Sequence, residues 1–230
     1  MNRRHTILYI HGMGGGGDSR IPSILREYFS CHSLQGEIGQ ESDVEIICRT
    51  YDFDPEVAQA QIRAWVDELR PQLIIGESLG ALHAMRIKGV SHLFVSPALN
   101  APVFLGILSW LSLLPGVTWY FDRKYRPKDG DRQPLHFCRR ILRKYKAHRA
   151  AAFAAAMDRR PDEMFHAFFG THDHYRRSGI VSVKSWEKHF GKSYTMYDGT
   201  HFMENELISS LLVPAVINLL TNKYGNINVQ

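Results

Sequence analysis

Cysteine is scarce in this chain: Cys31, Cys48 and Cys138 are odd in number and have no paired spacing. That excludes a disulfide framework and fits a reducing compartment. No C-x-x-C pair is present, so the cysteines do not suggest zinc and no metal site is expected. Internal repeats and low-complexity tracts are missing too. The first apolar run, residues 6–10, is too short for the core of a signal peptide and ends without a cleavage site. The expected location is therefore cytoplasmic. A second apolar run, residues 103–121, carries no charge, but Pro115-Gly116 cuts it and Gly106, Ser109, Ser112 and Thr118 dilute it. It reads as a buried or substrate-covering element rather than a membrane span.

Acidic residues nearly vanish between Arg123 and Arg149, where eleven basic residues face only Asp129 and Asp131. The segment carries +9, while the whole chain carries +5, so the remainder is −4. Any electrostatic attraction to a partner belongs to this one stretch.

The 230 residues suit one domain with an excursion, and an apolar fraction of 44% with 22% charged is ordinary for a globular protein. Residues 6–10, 44–48, 73–75, 92–96, 164–169 and 194–197 read as strands. Between them lie helical patterns through Ile24, Leu25, Tyr28 and Phe29, with Asp18 or Ser19 as cap, and through Val57, Ile62 and Trp65, with Asp54 as cap and Pro55 in the first turn. Others run from Ala81 to about Lys88-Gly89, around Val183, Trp186 and Phe190, and through Leu207, Leu212 and Val216. Tyr224-Gly225-Asn226 is expected to fray. Strands alternating with helices predict a mostly parallel sheet with helices on both faces. From 101 to 160 the alternation breaks: no strand is visible, and a helix is expected from about Pro134 through Ala150–Ala156.

Gly76-Glu77-Ser78-Leu79-Gly80 follows one of these strands and opens a helix. Strand, G-x-S-x-G and helix together turn a serine outward on a sharp bend at a helix N-terminus. A plain helix cap is the bland alternative, since serine is a common one. The glycine-rich loop His11-Gly12-Met13-Gly14-Gly15-Gly16-Gly17-Asp18-Ser19 fits neither the Walker pattern nor the dinucleotide fingerprint, so no nucleotide cofactor is expected. Two further strand ends carry Gly170-Thr171-His172-Asp173-His174 and Gly199-Thr200-His201. In an open parallel sheet such ends converge on one crevice. His172 and His174 flank Asp173 with spacing that could hold a metal, but no other cluster joins them.

In the order Ser78, Asp173, His201, and in the motifs just quoted, the chain resembles the α/β-hydrolase superfamily, specifically compact bacterial esterase-like members. The resemblance covers nearly the whole chain in element order. It implies an α/β-hydrolase fold lacking its two opening antiparallel strands, for which there is no room before Thr6. Residues 1–100 and 161–230 would form the core, and 101–160 a helical cap insertion. It assigns Ser78 as nucleophile, His201 as base and Asp173 as the acid that orients it. The backbone N–H groups of Met13 and Leu79 would form the oxyanion hole. His11 is expected to pack beneath that loop, Asp198 to shape the turn before Gly199, and Glu77 has no assigned role. The expected activity is hydrolysis of a small-molecule carboxylic ester, or a thioester, through an acyl-enzyme without cofactor. Phe104, Leu108 and Trp110 are expected to line an acyl pocket under the cap. Two alternatives stand beside this: a non-catalytic binding protein of the same fold, and a basic cap that docks anionic partners. For the latter a membrane surface is open, whereas the aromatic interleaving of a nucleic-acid groove is not seen.

Overall fold

Side chains alternate across a strand, and this chain uses both faces of its sheet. The computed structural model describes residues 3–35, 41–127 and 129–221; Tyr224-Gly225-Asn226 lies outside them. In chain order the strands are β1 (Arg3–Ile10), β2 (Leu34–Gln35), β3 (Glu41–Cys48), β4 (Leu73–Glu77), β5 (Ser91–Val95), β6 (Phe165–Gly170) and β7 (Tyr194–Tyr197). The helices are α1 (Arg20–Cys31), α2 (Pro55–Leu69), α3 (Gly80–Ala84), α4 (Ala101–Leu111), α5 (Val117–Lys124), α6 (Arg139–Met157), α7 (His174–Arg177), α8 (Val183–Phe190), α9 (Asn205–Leu207) and α10 (Val213–Thr221). A π-helical turn, Ile208–Leu212, joins the last two.

Among the described residues the sheet runs β2-β3-β1-β4-β5-β6-β7. All neighbours pair in parallel except β2, which is antiparallel to β3 at the edge. This is the expected mostly parallel α/β sheet. From β1 the chain goes outward to β3, then crosses back to β4 on the other side of β1. The loops leaving β1 and β4 therefore part in opposite directions and open a crevice at their carboxyl ends.

Ile7 and Tyr9 of β1, with Leu73 and Ile75 of β4, pack on the face covered by α1 and α10. Leu8, Ile10 and Ile74 turn to the other face, against α2, α3, α6 and α8. Each such apolar side chain fully buried stabilises the fold by about 1.5–3 kcal/mol relative to exposure. A one-residue slip of either strand would exchange the two faces. Asp54 caps α2 by accepting from the Glu56 N–H, with Pro55 in the first turn, and Arg70 closes it in a left-handed conformation.

Several boundaries differ from those the sequence suggests. α3 stops at Ala84, and residues to Ile87 continue as tighter turns in which Arg86 donates to His83 O and Ile87 to Ala84 O. The apolar pattern persists there because Met85 and Ile87 are still buried. Ser19 precedes α1, yet its hydroxyl accepts from Gly16 N–H and caps nothing, while Asp18 pairs with Arg132. α6 starts at Arg139 rather than near Pro134, because Gln133 N–H donates to Gly15 O and Phe137 N–H to Asp122 Oδ1. The two-residue strand β2 has too short a sequence signature to be seen in advance.

The segment 101–160 is not a cap throughout. Ile141, Leu142, Tyr145, Ala152 and Ala156 of α6 belong to the same buried cluster as Ile74 and Phe94, and Tyr145 Oη donates to Phe53 O at 2.8 Å. Helix α6 is thus part of the core layer. On its basic side Lys144 pairs with Asp54 and Glu56, and Arg149 donates to Leu99 O. The remaining excursion is α4, α5 and the loop to Arg139, with α4 resting on α6. The apolar run 103–121 is divided by residues 112–116 between α4 and α5, and Gly116 sits at φ 81° where glycine is favoured. Among the described residues no helix is long and apolar enough to cross a membrane.

Candidate active site

The bend after β4 is set by steric demand. Ser78 has φ 49°, a left-handed conformation that a non-glycine residue adopts only where its surroundings hold it. Its N–H donates to Val95 O at 2.9 Å, and its carbonyl accepts from Ala98 N–H at 3.0 Å and Ala81 N–H at 3.3 Å. The flanking glycines make room for this bend. A Cβ on Gly80 would lie 2.3 Å from His11 O, and one on Gly76 2.9 Å from Ala84 Cβ. The result is a serine side chain held at the mouth of α3 on the rim of the crevice.

His201 reaches the same point from the loop after β7. Its Nε2 is 3.0 Å from Ser78 Oγ, and its Nδ1 is 2.7 Å from Asp173 Oδ2. A carboxylate accepts, so Nδ1 carries a proton and Nε2 is left to accept from the serine hydroxyl. Asp173 follows β6, and its other oxygen accepts from Tyr175 N–H at 2.8 Å, which caps α7. Asp173 and His201 are both buried. The Tyr175 ring meets the His201 ring edge-on at 4.7 Å and fixes its plane from the side. Three residues predicted from separate strand ends are therefore joined in one hydrogen-bonded row.

The glycine-rich loop faces this row. A Cβ on Gly12 would sit 3.0 Å from Ser78 Cβ, so the loop backbone lies directly against the serine. Met13 follows Gly12 and Leu79 follows Ser78, and neither backbone N–H has an acceptor among the described residues. Beyond Met13 the loop is glycine-rich because another backbone lies against it: a Cβ on Gly16 would fall 1.7 Å from Asp131 O. Gln133 is buried here, its Oε1 accepting from Gly14 N–H at 3.0 Å and its Nε2 donating to Asp52 O at 3.2 Å. The excursion is thus pinned onto the loop that flanks the serine.

His11 lies beneath. Its ring is stacked on Tyr51 at 4.2 Å, and Tyr51 Oη donates to His11 O. Burial lowers its pKa to about 4, so it is neutral near pH 7 and structural in position. Asp198 accepts from Thr171 Oγ1 and pairs with His172 Nε2 at 2.8 Å, tying the loops after β6 and β7 together. His174 instead lies tilted against Tyr175 and edge-on to His201. No three potential metal ligands gather among the described residues.

A cavity of about 720 Å³ opens over the row, bounded by Met13, Ser78, Leu79 and His201 on one side and by Phe104, Leu105, Tyr125 and Leu135 of the excursion on the other. Of the three residues expected to line an acyl pocket, Phe104 is among those lining this cavity. Leu108 and Trp110 are not: neither lines the cavity. Leu108 packs on the core cluster, and Trp110 is 66% exposed under the Arg139 guanidinium. Trp110 stands six residues from Phe104, about 240° around the helix, so both cannot face one cavity.

Residues not anticipated also shape the site. Glu77 lines the cavity and accepts from Tyr9 Oη at 2.8 Å. Arg20 donates to Asn205 Oδ1, Phe202 O and Met203 O, clamping the loop just past His201, where Met203 is strained at φ 46°. An arginine in the first turn of a helix, where its charge opposes the dipole, was the available signal.

Neither a protein-family model nor a curated protein sequence matches the chain. Solved structures do. A lipase in an open form aligns with TM-score 0.60 at 14% identity, covering 97% of this chain and 91% of its own. A putative hydrolase from Agrobacterium vitis S4 gives 0.55 at 15%, with 94% and 88% covered. The thioesterase domain from the curacin biosynthetic pathway gives 0.53 at 13%, with 93% and 90% covered. Together with the sheet order, these likenesses show that the chain has the α/β-hydrolase fold.

Proposed function

We propose that the protein is a serine hydrolase that cleaves a carboxylic ester through an acyl-enzyme. The observation that carries this is His201 bridging Ser78 Oγ and Asp173 Oδ2 at hydrogen-bond distance on the wall of a cavity. Ser78 Oγ attacks the ester carbonyl carbon while His201 Nε2 takes its proton. The carbonyl oxygen becomes an oxyanion facing the N–H groups of Leu79 and Met13; loss of such a donor costs about 3–4 kcal/mol elsewhere. His201 then gives its proton to the leaving alkoxide oxygen as the carbon–oxygen bond breaks, leaving the acyl group on Ser78. Water, deprotonated by His201, attacks the acyl carbon, and Ser78 departs with the proton. Asp173 keeps Nδ1–H in place throughout and stabilises the imidazolium.

Phe104, Leu105 and Leu135 give the cavity an apolar wall suited to an acyl chain. The similar folds include a lipase and a thioesterase, which keeps oxygen and sulfur esters as substrate classes and favours neither. The test is labelling by a fluorophosphonate probe together with turnover of p-nitrophenyl esters of increasing acyl length. Labelling at Ser78 and turnover that both vanish in a folded Ser78→Ala protein are expected. Turnover that persists in that variant would refute the assignment.

A further inference from the structure

The excursion that walls the cavity also carries most of the large apolar side chains left exposed among the described residues. Val103, Ile107 and Trp110 are exposed at spacings of four and three, one face of α4, and Leu114 is exposed in the turn after it. Trp119 of α5 adds to it, 64% exposed. Single exposed apolar residues are ordinary, whereas a continuous stripe with two exposed tryptophans marks a surface that something covers.

The charges around the stripe say what. Arg139 lies over the Trp110 ring at 4.9 Å, Arg123 over Trp119 at 5.5 Å, and Lys124 over Tyr120 at 5.6 Å. Among the described residues none of these three cations has a carboxylate partner. Of the nearby acids, Asp122 is half-buried, accepts from Phe137 N–H and pairs with His136, whereas Asp131 is exposed but accepts from Gly17 N–H and Thr50, and Asp129 is exposed. The edge is therefore apolar, aromatic and predominantly cationic. A second copy of this chain on the same face would bring two such edges together, and their like charges oppose that. Tryptophans and tyrosines beside unpaired arginine and lysine suit the headgroup region of an anionic bilayer.

We infer that α4, α5 and the turn between them form a docking surface for anionic lipid bilayers. α4 supplies Phe104 and Leu105, and the end of α5 leads into Tyr125, at the cavity, so a docked molecule would hold the cavity mouth beside the lipid. Docking is a binding property and goes beyond the hydrolase reading; it can be measured with Ser78→Ala protein, in which hydrolysis is removed.

The experiment is sedimentation of that protein with phosphatidylcholine vesicles, with and without phosphatidylglycerol, at low and high salt. Three cations at the surface should give about a hundredfold stronger partition onto the anionic vesicles at low salt, falling as salt rises. Ile107→Glu with Leu114→Glu should abolish partition, and Arg123→Gln with Lys124→Gln should remove most of the preference for anionic vesicles. The charge pair lies outside the core and tests the inference even if the glutamate pair misfolds. With Ser78 restored, both pairs should turn over a water-soluble ester as before. Equal partition onto both vesicles, or none, overturns the inference. So does self-association that the glutamate pair abolishes while vesicles have no effect, which would give this surface to a second copy.

Discussion

Lowering the pH from 7 to about 5 should destabilise this fold steeply, because several histidines are buried in the neutral form. His11, His92 and His148 are 0%, 0% and 4% exposed, so solvent does not screen them. Burial lowers His11 and His92 to about 4 and His148 to about 3. The geometry agrees for His148, whose Nδ1 accepts from Arg86 Nη1 at 2.9 Å and has no place for a second proton there. In the unfolded chain each titrates near 6.5. Between about pH 4 and 6.5 the unfolded state therefore binds more protons than the folded one, and stability rises with pH. It is fully present above 6.5 and is lost as pH falls, until the folded groups themselves protonate. At pH 5 each histidine costs about 2 kcal/mol, so the three together remove about 6 kcal/mol from a total commonly about 5–15 kcal/mol. Urea unfolding at a series of pH values reads this directly, with a slope of about 4 kcal/mol per pH unit near pH 5. His92→Phe, in a site already shared with the Phe94 and Phe165 rings, should lower that slope by about one proton, or 1.4 kcal/mol per unit. A flat stability profile from pH 7 to 5, or a slope unchanged in His92→Phe, would refute the reasoning.

Two further outcomes bear on the site. Asp173→Asn should lower kcat by about 10⁴-fold with KM nearly unchanged, because the carboxylate acts on the imidazole and not on substrate; steady-state ester hydrolysis measures both. Arg20→Gln should loosen the loop after His201 and cost about a hundredfold in kcat, the scale of an ångström-sized misplacement. Its fluorophosphonate labelling rate at Ser78 should fall in parallel, and a normal labelling rate would detach Arg20 from the site.

What was legible in the sequence is what local chemistry dictates. Leu73 to Gly80 encodes its strand, its bend and its helix start in eight consecutive residues, and the glycines at 76 and 80 are where a Cβ would collide. Asp173 and His201 were legible for a related reason: each follows a strand, and parallel strands deliver their ends to one side. The partners that hold these groups were not legible, because nothing local announces them. Gln133 reaches Gly14 across 119 residues, and Arg20 reaches Met203 across 183. The four glycines 14–17 illustrate the difference. From the sequence they suggest a phosphate cradle whose motif the flanking residues do not complete; in the fold, Gly16 has no room for a side chain because Asp131 O occupies it. The same holds for α4, where hydrophobicity alone could not choose among Phe104, Leu108 and Trp110. That choice was made by α6, expected within a cap but packed by its apolar face into the core layer. Once α6 is fixed against the sheet, α4 must set Leu105 and Leu108 toward it, Phe104 falls at the cavity and Trp110 is left outside. The position of one helix thus decides which apolar residues line the cavity and which meet solvent.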